Sequence, residues 1–479
     1  MNEDSASLAV RHEHGGLSRA ALEDGVRTLV DELVARDVRT VATLLDNGPA
    51  WVMLDLALAR AGRVHVPLPG FFTPVQMQHV LAASGCDALI TRPAAAAMWP
   101  GLATRPLDVG GEALLQVDLP GAPVVMPAGT VKITFTSGTT GQPKGVCLGR
   151  QGMDQVVHGL VQALGPLDVG RHLCALPLPV LLENVAGLLA PLAHGTECVV
   201  LPLARLGLNG SSSFDPAVFD ATVRQWAPGS LILLPQMLRA WTAWLQATRQ
   251  SAPTSLKLVA VGGAAVGARL IEAARGVGIP AYEGYGLSEG ASVQTLNLPG
   301  ADCVGSVGRA LPHTRLKVDA EGQIHVAGSL MLGYLGDESP MSAWWPTGDV
   351  GHLDEAGFLH VQGRLRHVLI TSYGRNVSPE WVETALASEP LVAQAVVFGD
   401  GQPRLSAVIW STREQATDEQ IESAVQATNQ GLPDYARIGR WVRGQAPFQA
   451  ASGMATANGR PRRDAIFRLH ADALMPATV

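Results

Sequence analysis

The fold class follows from a segment that begins with Leu256-Lys-Leu-Val-Ala-Val261. This short apolar run predicts a buried strand, the stretch from Ala268 to Val277 has the apolar spacing of a helix, and Ile279-Pro-Ala-Tyr282 predicts a second strand. A strand, a helix and a strand in this order form a βαβ unit, which requires a parallel sheet covered by helices. We therefore expect an α/β architecture around this segment.

The chain on either side of this unit predicts two domains. Helical periodicity from Leu17 to Arg36 and further alternating strands and helices extend the α/β pattern to about residue 315. From Arg315 to Gly363, short strands alternate with Gly and Asp turns, which predicts a small antiparallel region. We predict an α/β fold with a large N-terminal domain of parallel sheets, helices and this small antiparallel region in residues 1–363, followed by a small α+β C-terminal domain in residues 364–479.

The C-terminal part has its own sequence pattern. It predicts a helix from Pro379 to Ala387 and another from Asp418 to Gln430. Between them, Ala395-Val-Val-Phe398 and Leu405-Ser-Ala-Val-Ile409 flank a Gly- and Pro-containing turn, which predicts a hairpin.

Composition narrows the class of protein. Of the 479 residues, 47% are apolar and 16% are charged, which favours a globular enzyme over a disordered chain. The net charge is -7 and no basic stripe occurs, so we expect no nucleic-acid partner. No apolar stretch reaches a membrane-spanning length, the start is acidic rather than signal-like, and the five cysteines form no CxxC pair. These features predict a cytoplasmic protein with reduced thiols and no membrane span.

The strongest motif is Thr134-Phe-Thr-Ser-Gly-Thr-Thr-Gly-Gln-Pro-Lys-Gly-Val146. A strand-like run enters a loop whose glycines let the backbone approach an anion, while hydroxyls, free N–H groups and Lys144 can contact phosphate oxygens. The loop is not a Walker A motif, in which Gly-Lys is followed by Ser or Thr. The alternative interpretation, a Gly- and Thr-rich surface turn, accounts for less of the segment.

This segment resembles the signature loop of the adenylate-forming superfamily, which includes acyl-CoA synthetases, peptide-synthetase adenylation domains and firefly luciferase. The chain is most similar to the long-chain fatty acid–CoA ligase branch. The resemblance implies an AMP-forming ligase that uses ATP and Mg²⁺ to activate a carboxylic acid. It also implies that the loop holds the β- and γ-phosphates of ATP through Thr136, Ser137, Gly138, Thr139, Thr140 and Lys144.

Two further motifs resemble the nucleotide-binding segments of that family. Gly262-Gly-Ala-Ala265 is similar to the segment along the adenine, and it implies nucleotide contacts from Gly263, Ala264 and Ala265. Tyr282-Glu-Gly-Tyr-Gly-Leu-Ser-Glu289 implies further contacts from Glu283, Gly284, Tyr285 and Gly286, with Tyr285 stacked on the adenine. By the same resemblance, Ser288 contacts the α-phosphate or the substrate carboxylate, and Glu289 and Thr139 hold Mg²⁺.

The later motifs follow in the family order. Trp345-Pro-Thr-Gly-Asp349 implies that Asp349 binds the ribose hydroxyls, and Arg364 matches a second ribose contact. Arg366 occupies the hinge position, about which the resemblance implies that a mobile C-terminal domain rotates between acid activation and thioester formation.

The acid-binding side departs from the long-chain pattern His-x-x-Glu-Arg. Val180 stands in the His position, Glu183 keeps the Glu, and Asn184 replaces the Arg. We expect Val180, Leu181 and Glu183 in the acid pocket, and a fatty acid and an aryl acid both remain open. No role is assigned to His158, His172 or His194.

The C-terminal motif also departs from the family. Arg460 occupies the position of the family Lys that bridges the carboxylate and the α-phosphate, and Arg is a bulkier planar group. Three interpretations follow from this exchange. Arg460 performs the task of the family Lys, or acid activation is slow, or the chain is a degenerate homologue that binds nucleotide without turnover. A kinase or ATPase function is disfavoured, because the motif that such an enzyme requires is absent from the sequence. The acyl acceptor is CoA or the phosphopantetheine of an acyl carrier protein, a possible partner.

Overall fold

The computed structural model describes residues 8–136, 144–209, 213–372, 376–456 and 459–474, without the side chains of Thr136, Asn209 and Asn376. The helices within these ranges are α1 (Arg19–Ala35), α2 (Pro49–Arg60), α3 (Pro74–Ala83), α4 (Pro93–Ala96), α5 (Arg150–Leu164), α6 (Ala190–His194), α7 (Pro216–Trp226), α8 (Pro235–Thr248), α9 (Ala268–Gly276), α10 (Pro379–Ala387), α11 (Asp418–Gln430) and α12 (Arg463–Leu474). Within the same ranges, no helix has the length and apolar character needed to cross a bilayer.

The strands are short and numerous. They are β1 (Leu8–His12), β2 (Gly15–Ser18), β3 (Thr40–Leu44), β4 (Val64–Pro67), β5 (Ala88–Thr91), β6 (Thr104–Val109), β7 (Glu112–Asp118), β8 (Thr130–Thr136), β9 (Lys144–Gly149), β10 (Arg171–Leu173), β11 (Glu197–Val199), β12 (Leu208–Asn209), β13 (Ser213–Phe214), β14 (Ser230–Leu233), β15 (Leu258–Val261), β16 (Ala281–Leu287), β17 (Ser292–Leu296), β18 (Arg309–Ala310), β19 (Thr314–Val318), β20 (Gln323–Gly328), β21 (Gly333–Tyr334), β22 (Trp345–Leu353), β23 (Leu359–Arg364), β24 (Leu369–Ile370), β25 (Asn376–Val377), β26 (Val392–Phe398), β27 (Leu405–Ser411) and β28 (Ile438–Arg443).

Two large mixed sheets form the N-terminal part. The first has the order β21-β9-β8-β4-β3-β5-β7-β6 and the second has the order β18-β17-β16-β15-β14-β10-β11-β1-β2. Parallel pairs form the middle of both sheets, and antiparallel pairs lie towards their edges. The predicted α/β fold is confirmed.

The predicted βαβ unit is β15-α9-β16. The two strands are parallel, with Val259 opposite Ala281 and Val261 opposite Glu283. The second strand begins at Ala281 rather than Ile279 because Pro280 has no N–H to donate to a ladder. The carboxyl end of β15 therefore delivers Gly262 and Gly263 to the same edge as the end of β16 and the 3-10 turn Ser288–Gly290 that follows it.

A small antiparallel sheet of order β19-β20-β22-β23 follows, as the Gly and Asp turns predicted. The nine-residue strand β22, from Trp345 to Leu353, was not predicted from the sequence. Its pairing with β23 places Asp349 opposite Arg364, so the two residues that the motifs singled out become neighbours.

The C-terminal part packs α10 and α11 against the sheet β26-β27-β28. Helices α10 and α11 have the predicted bounds, and β26 and β27 pair antiparallel as the predicted hairpin. Helix α11 begins with a capping box, in which Thr417 and Gln420 satisfy each other's backbone N–H groups.

A buried ionic network ties the first sheet to the segment after β10. Asp55 of α2 lies 2.6 Å from Nζ of Lys132 and accepts a hydrogen bond of 2.7 Å from Nδ1 of His65. Asn184 donates 2.8 Å to the other oxygen of Asp55 and accepts from Lys132. Burial alone would raise the pKa of Asp55, but the charge of Lys132 and the His65 hydrogen bond outweigh it and hold the pKa below its usual value. Asn184, which stands where the family has Arg, is therefore held by hydrogen bonds to Asp55 and Lys132.

The network predicts a large loss of stability when its carboxylate is removed. Asp55→Ala leaves the ammonium of Lys132 buried without a counter-ion, so we expect the free energy of unfolding to fall by about 3–5 kcal/mol. Urea unfolding followed by circular dichroism measures the loss. Asp24→Ala, which breaks an exposed pair with Arg27, is the matched control, with an expected loss below about 1 kcal/mol. A loss as small as this for Asp55→Ala would contradict the assignment.

Candidate active site

A single cavity of about 1330 Å³ collects most of the residues that the motifs singled out. Its walls come from both large sheets, from the small sheet and from the C-terminal part. The predicted residues on its walls are Lys144, Val180, Leu181, Gly263, Gly284, Tyr285, Gly286, Ser288, Glu289, Arg364, Arg366 and Arg460. Residues separated by more than 300 positions in the sequence therefore face one space.

The carboxylate of Asp349 organises one end of this site. Tyr285 donates 2.6 Å to its Oδ2, and Nε of Arg364 lies 2.9 Å from its Oδ1. Arg364 also donates 3.0 Å to the carbonyl of Thr347, so its guanidinium is held in one orientation. Burial raises the pKa of Asp349, and Arg364 and Tyr285 act in the opposite direction. The arrangement presents an aromatic ring, a carboxylate and a guanidinium side by side.

Arg460 reaches the same region from the C-terminal part. Its backbone N–H donates 3.2 Å to Oγ1 of Thr456, and Thr456 N–H donates 2.8 Å to its carbonyl, which closes a tight turn. The side chain is exposed to the cavity. Burial among protein groups and the charge of Arg364 lower the pKa of Arg460, whereas the carboxylates of Asp349 and Glu289 raise it. Arg460 is therefore within electrostatic reach of the Asp349 cluster.

Arg366, the predicted hinge, lies in the short 3-10 turn Leu365–His367 that follows β23. This turn connects the small sheet to the C-terminal elements, and Arg366 faces the cavity. Burial and the neighbouring Arg364 lower its pKa.

Glu289 and Lys144 are connected through a residue that the motifs did not indicate. Tyr334 donates 2.8 Å to Oε1 of Glu289, and Nζ of Lys144 lies 5.4 Å from the centre of the Tyr334 ring. Burial and the charge of Glu289 raise the pKa of Tyr334. Tyr334 lies on the two-residue strand β21, which is too short for a periodicity signal.

The signature loop itself is only partly described. Ser137, Gly138, Thr139 and Thr140 lie outside the described residues, and of Thr136 only the backbone is described. Thr136 and Lys144 pair at the ends of β8 and β9, so the two ends of the loop are placed together beside the cavity. The predicted phosphate contacts remain predictions.

The Gly262–Ala265 segment is anchored by Glu283. Its Oε1 accepts 3.1 Å from the N–H of Val266, and burial raises the pKa of Glu283 to about 7. The buried side chain of Glu283 thus holds the start of the Val266 segment in place, and its predicted nucleotide contact stays a prediction. Gly263 lines the cavity, while Ala264 and Ala265 are exposed beyond its walls, and their contacts stay predictions.

On the acid-binding side of the cavity, one predicted pocket residue has to be corrected. Val180 and Leu181 line the cavity as predicted, but Glu183 does not. The π-helical turn Glu183–Leu189 directs its fully buried carboxyl group behind the wall, towards His172. His172 and Ser230, which do line the cavity, were missed because an isolated His or Ser in an apolar strand carries no motif.

The charges suit a ligand with phosphate and carboxylate groups. The cavity is lined by four cations, Lys144, Arg364, Arg366 and Arg460, and by Glu289. The carboxylate of Asp349 pairs with Arg364. Leucine, valine and alanine side chains from α5, β14 and β15 line the interior. The site can hold a polyanion at one end and an apolar group at the other.

Comparisons with known proteins show what this chain is similar to. Residues 5–335 match the family model of the AMP-binding enzymes, and residues 366–475 match that of the AMP-binding enzyme C-terminal domain. Feruloyl-CoA synthase of an Amycolatopsis species is 31% identical over 430 residues, which cover 83% of each chain.

A second relative and a protein of known structure are named for other acids. The long-chain-fatty-acid–CoA ligase FadD15 of Mycobacterium bovis is 28% identical over 426 residues, 75% of this chain and 70% of that protein. The structure of O-succinylbenzoate coenzyme A synthetase from Bacillus subtilis, in complex with AMP, has the same fold, with a TM-score of 0.77 and 23% identity over 96% of this chain and 95% of that one.

The buried Glu283 predicts a dependence of stability on pH. Its pKa is about 7 in the fold and near 4.5 in the unfolded chain, so its contribution is present below pH 4.5 and is lost as the pH rises through 7. Glu283→Gln keeps an acceptor for Val266 without this titration. We expect the stability difference between pH 5 and pH 8, measured by urea unfolding, to shrink by about 1–3 kcal/mol. An unchanged difference would contradict the buried-acid assignment.

Proposed function

Because this chain belongs to the AMP-binding enzyme family, we propose that it activates a carboxylic acid with ATP and transfers the acyl group to a thiol. The observation that carries the proposal is the meeting of Tyr285, Arg364 and Arg460 on the walls of one cavity that continues between apolar walls. Asp349 is bonded to the first two of them. A nucleotide and an acid can occupy the two regions at once.

The first step forms an acyl-adenylate. An oxygen of the substrate carboxylate attacks the α-phosphorus of ATP, a new P–O bond forms, and the bond to the bridging oxygen breaks to release pyrophosphate. The reactants are anions that repel each other, so the protein must hold them in line and neutralise their charge. We assign Arg460 and Lys144 to this neutralisation, and Ser288 to a hydrogen bond at the reacting groups.

Nucleotide binding uses the groups around Asp349. The carboxylate suits paired ribose hydroxyls, Arg364 fixes its orientation, and the ring of Tyr285 offers a stacking face. Glu289 supplies the oxygen ligands that Mg²⁺ prefers and is held in place by Tyr334, so the site fits this ion. When bound there, Mg²⁺ would neutralise phosphate charge.

The second step transfers the acyl group. A thiol sulfur attacks the acyl carbon of the mixed anhydride, a C–S bond forms, the C–O bond to AMP breaks, and the thiol proton is released. We propose CoA as the thiol because the named relatives are CoA ligases, with the phosphopantetheine of a carrier protein as the alternative. Arg366 is the proposed hinge between residues 1–363 and 364–479. The reduced state of the five free cysteines suits the proposed cytoplasmic location.

A non-catalytic nucleotide-binding protein is the rival function. It would need neither an acid pocket nor a cation directed at the reacting groups. Arg460 lines the cavity within electrostatic reach of Asp349 and Glu289, and a cation at this place favours turnover.

Replacement of Arg460 tests the proposal. Arg460→Ala removes a cation that stabilises the transition state, so we expect acid-dependent ATP–pyrophosphate exchange to fall by about 100- to 1000-fold. Arg460→Lys keeps the charge and should retain exchange within about tenfold of the wild type.

Arg462→Ala provides the matched control. Arg462 is an exposed arginine two positions away that does not line the cavity, so its exchange rate should stay within about twofold of the wild type. Equal rates for Arg460→Ala and Arg462→Ala would remove Arg460 from the reaction.

A further inference from the structure

Two polar side chains interrupt the apolar wall deep in the cavity. Ser230 of β14 and His172 of β10 lie opposite each other in register, and the Oγ of Ser230 is 2.8 Å from Nδ1 of His172. Both side chains are about 95% buried, and both line the cavity. On the same face of the sheet, the neighbouring wall residues are Ile232, Leu258 and Ala260.

The sheet register gives the depth of this pair. Ser230 is opposite Leu258, and Gly262, at the nucleotide end of the cavity, follows Leu258 by four residues. Four residues of strand at about 3.3 Å each place Ser230 about 13 Å below Gly262. A group bound at Ser230 therefore belongs to the distal part of an acid whose carboxylate lies at the nucleotide end.

Glu183 stands behind His172. Its Oε1 is 3.9 Å from Nε2 of His172, and neither its oxygens nor this nitrogen has a hydrogen-bond partner of good geometry. The carboxyl group packs over Gly187, where an added Cβ would come within 2.6 Å of Oε1. The absence of a side chain at position 187 gives the Glu183 carboxyl group its space.

The contact between His172 and Ser230 gives the direction of the hydrogen bond. Nε2 of His172 faces the Glu183 carboxyl group at 3.9 Å without a hydrogen bond, so the ring makes its side-chain hydrogen bond through Nδ1. When Nδ1 carries the hydrogen, it donates to Oγ of Ser230, and the hydroxyl hydrogen of Ser230 is free to point into the cavity.

We propose that Ser230 is a specificity-determining hydrogen-bond donor, positioned by His172 and Glu183, and that the substrate is an apolar acid with an oxygen acceptor, such as a ketone or ether, in its distal part. This inference rests on the proposed function. A substrate without the acceptor leaves a buried donor unpaired, which costs about 10- to 100-fold in kcat/KM.

The test compares acids that differ in one oxygen. ATP–pyrophosphate exchange is measured with dodecanoic acid and with its keto derivatives that carry the carbonyl at successive positions along the chain. We expect one distal keto isomer to exceed dodecanoic acid by about 10- to 100-fold in kcat/KM. Isomers with the carbonyl near the carboxylate should show no such preference.

Variants assign the preference to the hydroxyl. Ser230→Ala should bring the keto-to-plain ratio close to one, whereas Ser230→Thr, which keeps a hydroxyl, should retain most of the preference. Glu183→Gln, which keeps the size of the side chain behind His172, should also retain it. Ser84→Ala, a buried serine away from the cavity, is the matched control and should leave the ratio unchanged.

The outcomes separate the inference from the function. Exchange with several acids but with equal kcat/KM for keto and plain acids overturns the inference alone. Exchange with no acid at all contradicts the proposed function and the inference with it. His172, Cys174 and Glu183 also have ligand atoms within 4.8 Å of one another, so elemental analysis of the purified protein is included. One zinc ion per chain, lost in His172→Ala, would identify a metal site and overturn the inference.

Discussion

The buried carboxylate of Asp349 joins the parts of the molecule that make the site. It accepts a hydrogen bond from Tyr285 on the second large sheet and pairs with Arg364 at the end of the small sheet, and its charge acts on Arg460 in the C-terminal part. Buried charges persist in proteins when they are paired and hydrogen-bonded, and these partners oppose the rise in the pKa of Asp349 that burial causes. The relative positions of Tyr285 and Arg364 follow from this one group.

The cavity gains its selectivity from the contrast between its two regions. Cations collect where β9, β16, β23 and the C-terminal turn meet, whereas α5, β14 and β15 contribute apolar side chains. An acid that enters gains free energy by burying its apolar part and keeps its carboxylate at the charged end. A second buried carboxylate, Asp55, supports the wall from behind. It accepts a hydrogen bond from Asn184, which lies in the π-helical turn directly after the wall residues Val180 and Leu181.

Local patterns in the sequence predicted the fold and singled out many residues that line the cavity. The βαβ unit, helices α10 and α11 and the β26–β27 hairpin depend on periodicity and turn residues, which are visible within a short window. Asp349 and Arg364 were both singled out because they belong to recognisable motifs, and the structure places them opposite each other. Tyr334, Ser230 and His172 were not singled out, since their roles arise from pairing between strands that are distant in the sequence. The pocket role of Glu183 failed for a related reason: a spacing pattern cannot show that a π-helical turn directs the side chain behind the wall.

The most direct test of acid activation is to detect its intermediate. The protein is incubated with ATP, Mg²⁺ and panels of short, long and aromatic acids without any thiol, and the products are identified by mass spectrometry. We predict pyrophosphate and the acyl-adenylate of at least one class of acid, which disappear when CoA is added and are replaced by AMP and the thioester. Release of ADP or inorganic phosphate, or unreacted ATP with every acid in a protein that still binds the nucleotide, would contradict the account.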